Sequence, residues 1–238
     1  MKLSMQIMRR LLPGVMRERC EYRKSYSQCG EDMIVDFAFA AMRIATPTYL
    51  DIGAHHPTHF SNTYFFYSKG CRGVTVEPDP MLFTELQGVR PGDTHLNVGV
   101  GKAAMPTLPF YVMSTRTLSS FSKSEAERYQ GTSLHKIEAV IDVPVLTVGE
   151  IFELHFPRQA PDFVSVDVEG LDFEIIQSID FAKNRPVAIC VETLTFSEDR
   201  SETKLREIID YVCERDYIHY ADTYINSIFI DRARWKAR

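Results

Sequence analysis

The 238-residue sequence predicts a doubly wound α/β domain whose mostly parallel, seven-stranded sheet ends in an antiparallel hairpin. Three observations predict it. From residue 47 onward, short apolar runs rich in β-branched and aromatic residues alternate with helical patterns. Runs such as Val187–Val191 are apolar on both faces, as strands covered by helices on two sides must be. The last two runs are joined by only Tyr-Ile-Asn, too short for a crossover and right for a hairpin.

In chain order, the expected strands are Tyr49–Gly53, Gly73–Glu77, His95–Val100, Phe163–Asp167 and Val187–Glu192, followed by the pair His219–Thr223 and Ser227–Asp231. Phe60–Lys69, Pro80–Val89, Leu171–Phe181 and Glu202–Asp216 carry helical patterns between them. The stretch 105–145 breaks the alternation with Ser, Thr and charged residues and is expected to be an insertion over the site, part strand and part lid. Residues 27–238 thus form one domain, preceded by a basic N-terminal helical extension over 1–26. That extension packs on the body, or touches a membrane surface or partner weakly.

Composition sets outer limits. A net charge of -5 disfavours a general nucleic-acid surface, which needs a positive field. The five cysteines, Cys20, Cys29, Cys71, Cys190 and Cys213, are odd in number and irregularly spaced, so reduced thiols in a cytoplasmic protein are expected. No apolar run approaches the ~20 residues that a membrane-spanning helix needs.

In doubly wound sheets, ligands bind beyond the carboxyl ends of the strands. The residues expected there are Asp51, Glu77, Asn97, Asp167 and Glu192, four of them acidic. Unpaired carboxylates are costly to bury, so a partner that is cationic or rich in hydroxyls is expected. A dinucleotide fits poorly, because Gly53 is followed by Ala54, His55, His56 and Pro57 instead of the glycines that admit a pyrophosphate. S-adenosylmethionine fits better: it has no phosphate, and it carries an ammonium, a sulfonium and a ribose diol. Asp51 would meet the methionine end, Glu77 would accept both ribose hydroxyls, and Gly53 would let the backbone pass close by. The competing reading makes the two acids helix caps.

The sequence at this point resembles the FkbM family of S-adenosylmethionine-dependent methyltransferases. The resemblance rests on SQCGED (Ser27–Asp32), YLDIGAHHPTHFSNTYFFYSKGCRGVTVEPDP (Tyr49–Pro80), LNVGVG (Leu96–Gly101), TLSSF (Thr117–Phe121) and FVSVDVEGLDFEII (Phe163–Ile176), which occur in the family's order. It implies a Rossmann-like class I methyltransferase that moves a methyl group to an oxygen, mostly of sugars or polyketide-like natural products. The His-His-Pro variant resembles a branch associated with polysaccharide and glycolipid biosynthesis. Val76-Glu77-Pro78 departs from the more usual Asp-containing end of the second strand, and Glu serves a diol equally well. The implied cofactor contacts are Gln28, Asp51, Gly53, Ala54, His55, Glu77, Pro78, Asn97, Val98 and Asp167.

Methyl transfer needs an oriented acceptor oxygen and a group to take its proton. Asp167, Glu169, His55 and His56 are the candidate catalytic residues; Glu169 is alternatively a helix cap and each histidine a hydrogen-bonding fixture. A magnesium ion on Asp167 and Glu192 is a less favoured variant, because Thr193, and not a third carboxylate or Asn, directly follows Glu192. Gln28, Glu31 and Asp32 either close the pocket or start a helix at Ser27. Ser119 and Ser120 are expected along the adenine or acceptor pocket, and Tyr111, Arg116 and Tyr129 near acceptor hydroxyls or phosphates. The expected partner is a small-molecule or glycan acceptor. The alternatives are a cofactor-binding protein without turnover and an NAD-dependent enzyme.

Overall fold

A computed structural model describes residues 23–131, 134–168, 170–195 and 201–238. Most of the expected N-terminal extension, Cys20 and Glu169 therefore lie outside the described residues. Helix α1 (Glu31–Ala41) leads into β1 (Tyr49–Ile52), the short α2 (Tyr64–Ser68), β2 (Gly73–Val76), α3 (Pro80–Val89) and β3 (Thr94–Leu96). Helix α3 matches the sequence expectation, because Pro80 is preorganised at its first position and the Asp79 carboxylate accepts from Met81 N and Leu82 N.

The expected strand His95–Val100 is in fact two. β3 belongs to the main sheet and β4 (Gly99–Val100) to a second, three-stranded sheet with β5 (Met105–Met113) and β6 (Ile137–Leu146). The break falls at Asn97, whose side-chain amide donates to the carbonyls of Glu77 and Pro78 instead of letting the strand run on. The second sheet and α4 (Lys123–Gln130) make up the insertion, which has a small core of its own around Met113, Leu118, Ala126 and Tyr129. Helix α5 (Val148–His155) was not expected; Thr147 and Glu150 start it with a complete capping box.

After it come β7 (Phe163–Val166), α6 (Asp172–Ser178), β8 (Ala188–Glu192), α7 (Arg206–Cys213), the hairpin β9 (Tyr217–Asp222) and β10 (Asn226–Asp231), and the terminal α8 (Arg232–Lys236). The main sheet has the order β3-β2-β1-β7-β8-β10-β9. Its first five strands are parallel, and β10 runs antiparallel to both β8 and β9.

Strand alternation divides the core. Leu50, Ile52, Val164, Val166, Ile189 and Val191 pack with α5, α6 and α7. Tyr49, Phe163, Ala188, Cys190, Ile228 and Ile230 pack with α1 and α2. The chain moves outward from β1 through β2 to β3, then crosses to β7 and β8, so the sheet's switch point lies between β1 and β7. A crevice at the carboxyl ends of those two strands is the usual ligand site of such a sheet.

Candidate active site

At that crevice three hydrogen bonds gather the strand ends. Gly53 N and Ala54 N both donate to Val76 O, and Asp167 N donates to Ile52 O. Gly53 has φ +79°, and a Cβ there would lie 1.8 Å from the carbonyl oxygen of Asp167. Only glycine tolerates both conditions. His55 follows in the left-handed region, with φ 48°. This turn holds its backbone N–H against Glu77.

The crevice opens into a cavity of about 420 Å³, within the usual size range of small-molecule sites. Gly53, His55, Glu77, Pro78, Val98 and Asp167 line its strand-end side. Gln28 reaches it from the segment before α1. Phe110, Arg116, Thr117, Leu118, Ser119 and Phe121 of the segment 105–145, which contains β5, α4 and most of β6, also line it. The far wall comes from Glu192, Leu194, Thr195, Glu202 and Ile225.

Glu77 is the most constrained of these groups. Its Oε2 accepts from His55 N at 2.8 Å and its Oε1 from Asp79 N at 2.8 Å, which leaves each oxygen free to accept once more. Burial pushes its carboxyl up to about 7, against the opposing pull of those two N–H groups. Asp167 stands half-buried at the end of β7, with no side-chain hydrogen bond to a described residue. Burial raises it first, and the nearby Asp172, Asp51 and Glu31 raise it further. Asp172 is itself raised by burial, while its carboxylate accepts from Val168 N and Gly170 N and so shapes the loop after β7. The His55 ring has a buried Nε2 without a hydrogen-bond partner among the described residues, and burial lowers its pKa below the ordinary histidine range.

Several expected site residues sit elsewhere. Asp51 does not line the cavity. It shares the α1/α2 face with Tyr49, accepts from Thr63 Oγ1 and lies 3.9 Å from the fully buried Arg90. The physical reason is the strand's period of two: Ile52, one residue on, occupies the cavity side. Ala54 is buried against β2, and Asn97 holds the Glu77–Pro78 backbone, so both shape the site without lining it.

His56 is also a fixture. Its Nδ1 accepts from Thr58 N and His59 N and organises the turn outside the cavity lining. Glu31 and Asp32 do not close the pocket: both are fully buried. Glu31 accepts from Cys29 N, Thr223 Oγ1 and Asn226 Nδ2, and Asp32 from Ser25 Oγ, Tyr26 N and Ser27 Oγ. Together they dock the segment before α1 and the hairpin turn. Ser120, Tyr111 and Tyr129 pack within the insertion and do not line the cavity, whereas Ser119 does.

Asp167 and Glu192 both line the cavity. No group of three or more His, Cys, Asp or Glu among the described residues is arranged to hold a metal ion. No helix among them is long and apolar enough to cross a membrane.

Solved structures similar to this chain include the following three. A TehB-like SAM-dependent methyltransferase from Corynebacterium glutamicum is 9% identical, with 85% of this chain and 87% of that one covered at a TM-score of 0.43. Precorrin-6y C5,15-methyltransferase from Geobacter metallireducens is 12% identical, with 77% and 70% covered at 0.38. An O-methyltransferase from Bacillus cereus, solved in complex with SAH, is 11% identical, with 87% and 82% covered at 0.38. No curated protein matches the sequence. A family model described as the methyltransferase FkbM domain matches residues 51–218, from the buried Asp51 through Asp167 to the start of the hairpin. The chain therefore belongs to the FkbM family of S-adenosylmethionine-dependent methyltransferases.

Proposed function

We propose that the protein moves a methyl group from S-adenosylmethionine to a hydroxyl oxygen of a sugar, a glycan precursor or a related natural product. The observation that carries this reading is the pair of strand-end carboxylates on one cavity, Glu77 and Asp167, with Gly53 between them. The residues fit the donor. Glu77 has two oxygens that can each accept from a ribose hydroxyl, and its own backbone neighbours hold it in place. A Cβ at position 53 would fill the closest approach to the Asp167 backbone. Val98, Pro78, Leu118 and Phe121 supply apolar wall for a purine.

When bound, S-adenosylmethionine supplies an electrophilic methyl group on a sulfonium. Glu77 would hold the ribose, while Asp167 and Gln28 would face the methionine end. Asp167 suits that role because its carboxylate is uncommitted among the described residues and becomes ionised when a cation arrives. His55 is the proton acceptor in this reading. Its ring is neutral near pH 7 because burial lowers its pKa, and its Nε2 has no described partner to displace. Glu169, the remaining catalytic candidate, lies outside the described residues. In this reading the segment 105–145 roofs the cavity, and Arg116 links it to the body by donating to Asp79.

The four described cysteines are free thiols, which supports a reducing, cytoplasmic setting. Calorimetry with S-adenosylmethionine and with S-adenosylhomocysteine tests the donor. Methyl transfer from labelled donor to a panel of sugars tests the acceptor class. Absence of heat with both donor forms would overturn the assignment; binding with transfer only to nitrogen acceptors would overturn the oxygen specificity.

A further inference from the structure

The far wall of the cavity carries an unsatisfied acceptor that the donor site does not use. Glu202 lines the cavity beside Glu192, Thr195 and Ile225. Its Oε1 accepts from Tyr224 Oη at 3.3 Å, while its Oε2 is buried and accepts from no described residue. The segment that carries Glu202 is not loose. Leu205 N donates to Thr193 O, Thr203 N to Thr195 Oγ1, and Thr195 N to Thr203 O. Lys204 is clamped by Asp222 and the Tyr224 carbonyl. The charged residues of the cavity lining are mostly acidic. Glu77, Asp167, Glu192 and Glu202 line it, and the one described Lys or Arg in its lining, Arg116, is committed to Asp79 and Glu138.

A carboxylate oxygen can only accept, so what satisfies Glu202 must donate. An anion brought beside Glu202 would meet like charge. We propose that Glu202 forms an acceptor subsite in which its carboxylate takes a hydrogen bond from a hydroxyl or ammonium group of an acceptor whose buried part carries no anionic group. The subsite rests on the donor reading above, since it places the acceptor opposite the strand-end carboxylates. Glu202 already lines the cavity, and its last side-chain torsion is soft.

The test uses analogues of S-adenosylhomocysteine in which nitrogen replaces sulfur and bears a three-carbon arm ending in a hydroxyl, an ammonium or a carboxylate. Binding of each to the full chain is measured by calorimetry, with S-adenosylhomocysteine as the reference. Hydroxyl- or ammonium-ended arms should bind the wild type at least about 10-fold more tightly than the carboxylate arm, as like-charge contacts require. In Glu202→Gln that ratio should shrink below about 3-fold, since the repelling charge is gone, while reference affinity and melting temperature stay put. A preferred hydroxyl arm identifies a polyol acceptor, and a preferred ammonium arm an amine. A carboxylate arm that binds as well as the others, or a preference that Glu202→Gln leaves intact, overturns the subsite. Failure of the reference itself to bind the wild type overturns the donor reading, and the subsite with it.

Discussion

Replacing Glu77 by Gln separates its two duties, holding the β2 loop and holding a ribose. In the wild type both oxygens accept from backbone N–H groups at 2.8 Å, from His55 and from Asp79. Gln can accept only one of these, so one buried N–H is left without a partner, at a cost of about 1–3 kcal/mol. The same change removes a buried charge. An ordinary glutamate near 4.5 is raised here to about 7, which corresponds to about 3 kcal/mol of preference for the protonated form in the folded state. The sign follows from proton binding: the folded chain holds this proton more tightly than the unfolded one. The contribution is therefore fully present below pH 4.5 and is lost as pH rises through 7. Glu77→Gln should thus be less stable than wild type at pH 5 and recover relative to it by pH 8, the two differences separated by about 3 kcal/mol. Urea unfolding at pH 5, 6, 7 and 8 measures it. At pH 8 the variant should also bind S-adenosylhomocysteine roughly 5- to 150-fold more weakly, the equivalent of a lost charged hydrogen-bond acceptor. A difference in stability that does not change with pH would refute the burial argument, and unchanged affinity would remove Glu77 from the ribose site.

Gly53→Ala should lose at least about 2 kcal/mol in chemical denaturation, since a left-handed backbone and a clash with the Asp167 carbonyl act together; a stable variant would mean that the turn relaxes freely. His55→Gln should lower kcat by about 10²- to 10⁴-fold with S-adenosylhomocysteine affinity preserved, and an unchanged kcat would assign the proton to another group. Because burial lowers the His55 pKa, the wild-type kcat should stay flat as pH falls through 6.5 and decline only below it; a decline centred above 6.5 would point to a raised carboxyl instead. Arg116→Ala should raise the KM for acceptor more than it lowers kcat, because it frees the roof from Asp79 and leaves that carboxylate its helix-capping N–H bonds. Steady-state kinetics with a labelled donor would show the split, and a pure kcat effect would place Arg116 in the chemistry.

The parallel sheet, the hairpin and the carboxyl-end positions of Gly53, Glu77 and Asp167 were legible in the sequence because each depends on a local pattern. Asp79-Pro80 announced α3 in the same way. The Thr147-x-x-Glu150 capping box is an equally local signal for the start of α5. Asp51 was not legible. Its distance from the strand end differs from that of Ile52 by one residue, and one residue decides the face. The general cost of burying an acid does not place Asp51, because Arg90 and Thr63 satisfy it within the fold; Glu31 and Asp32, in the first turn of α1 as the helix-start reading has them, are likewise satisfied by N–H and O–H groups. Those partners come from segments up to 195 positions away, and no local rule pairs them. The far wall was hidden for the same reason, since Leu194, Glu202 and Ile225 converge only once β8, the loop before α7 and the hairpin turn have assembled. Internal donors alone therefore do not sort these acids: Asp51 is satisfied within the fold and lies off the cavity, Glu77 is satisfied by two N–H groups and still lines it, and Asp167 and Glu202 line it with at least one oxygen that accepts from no described residue.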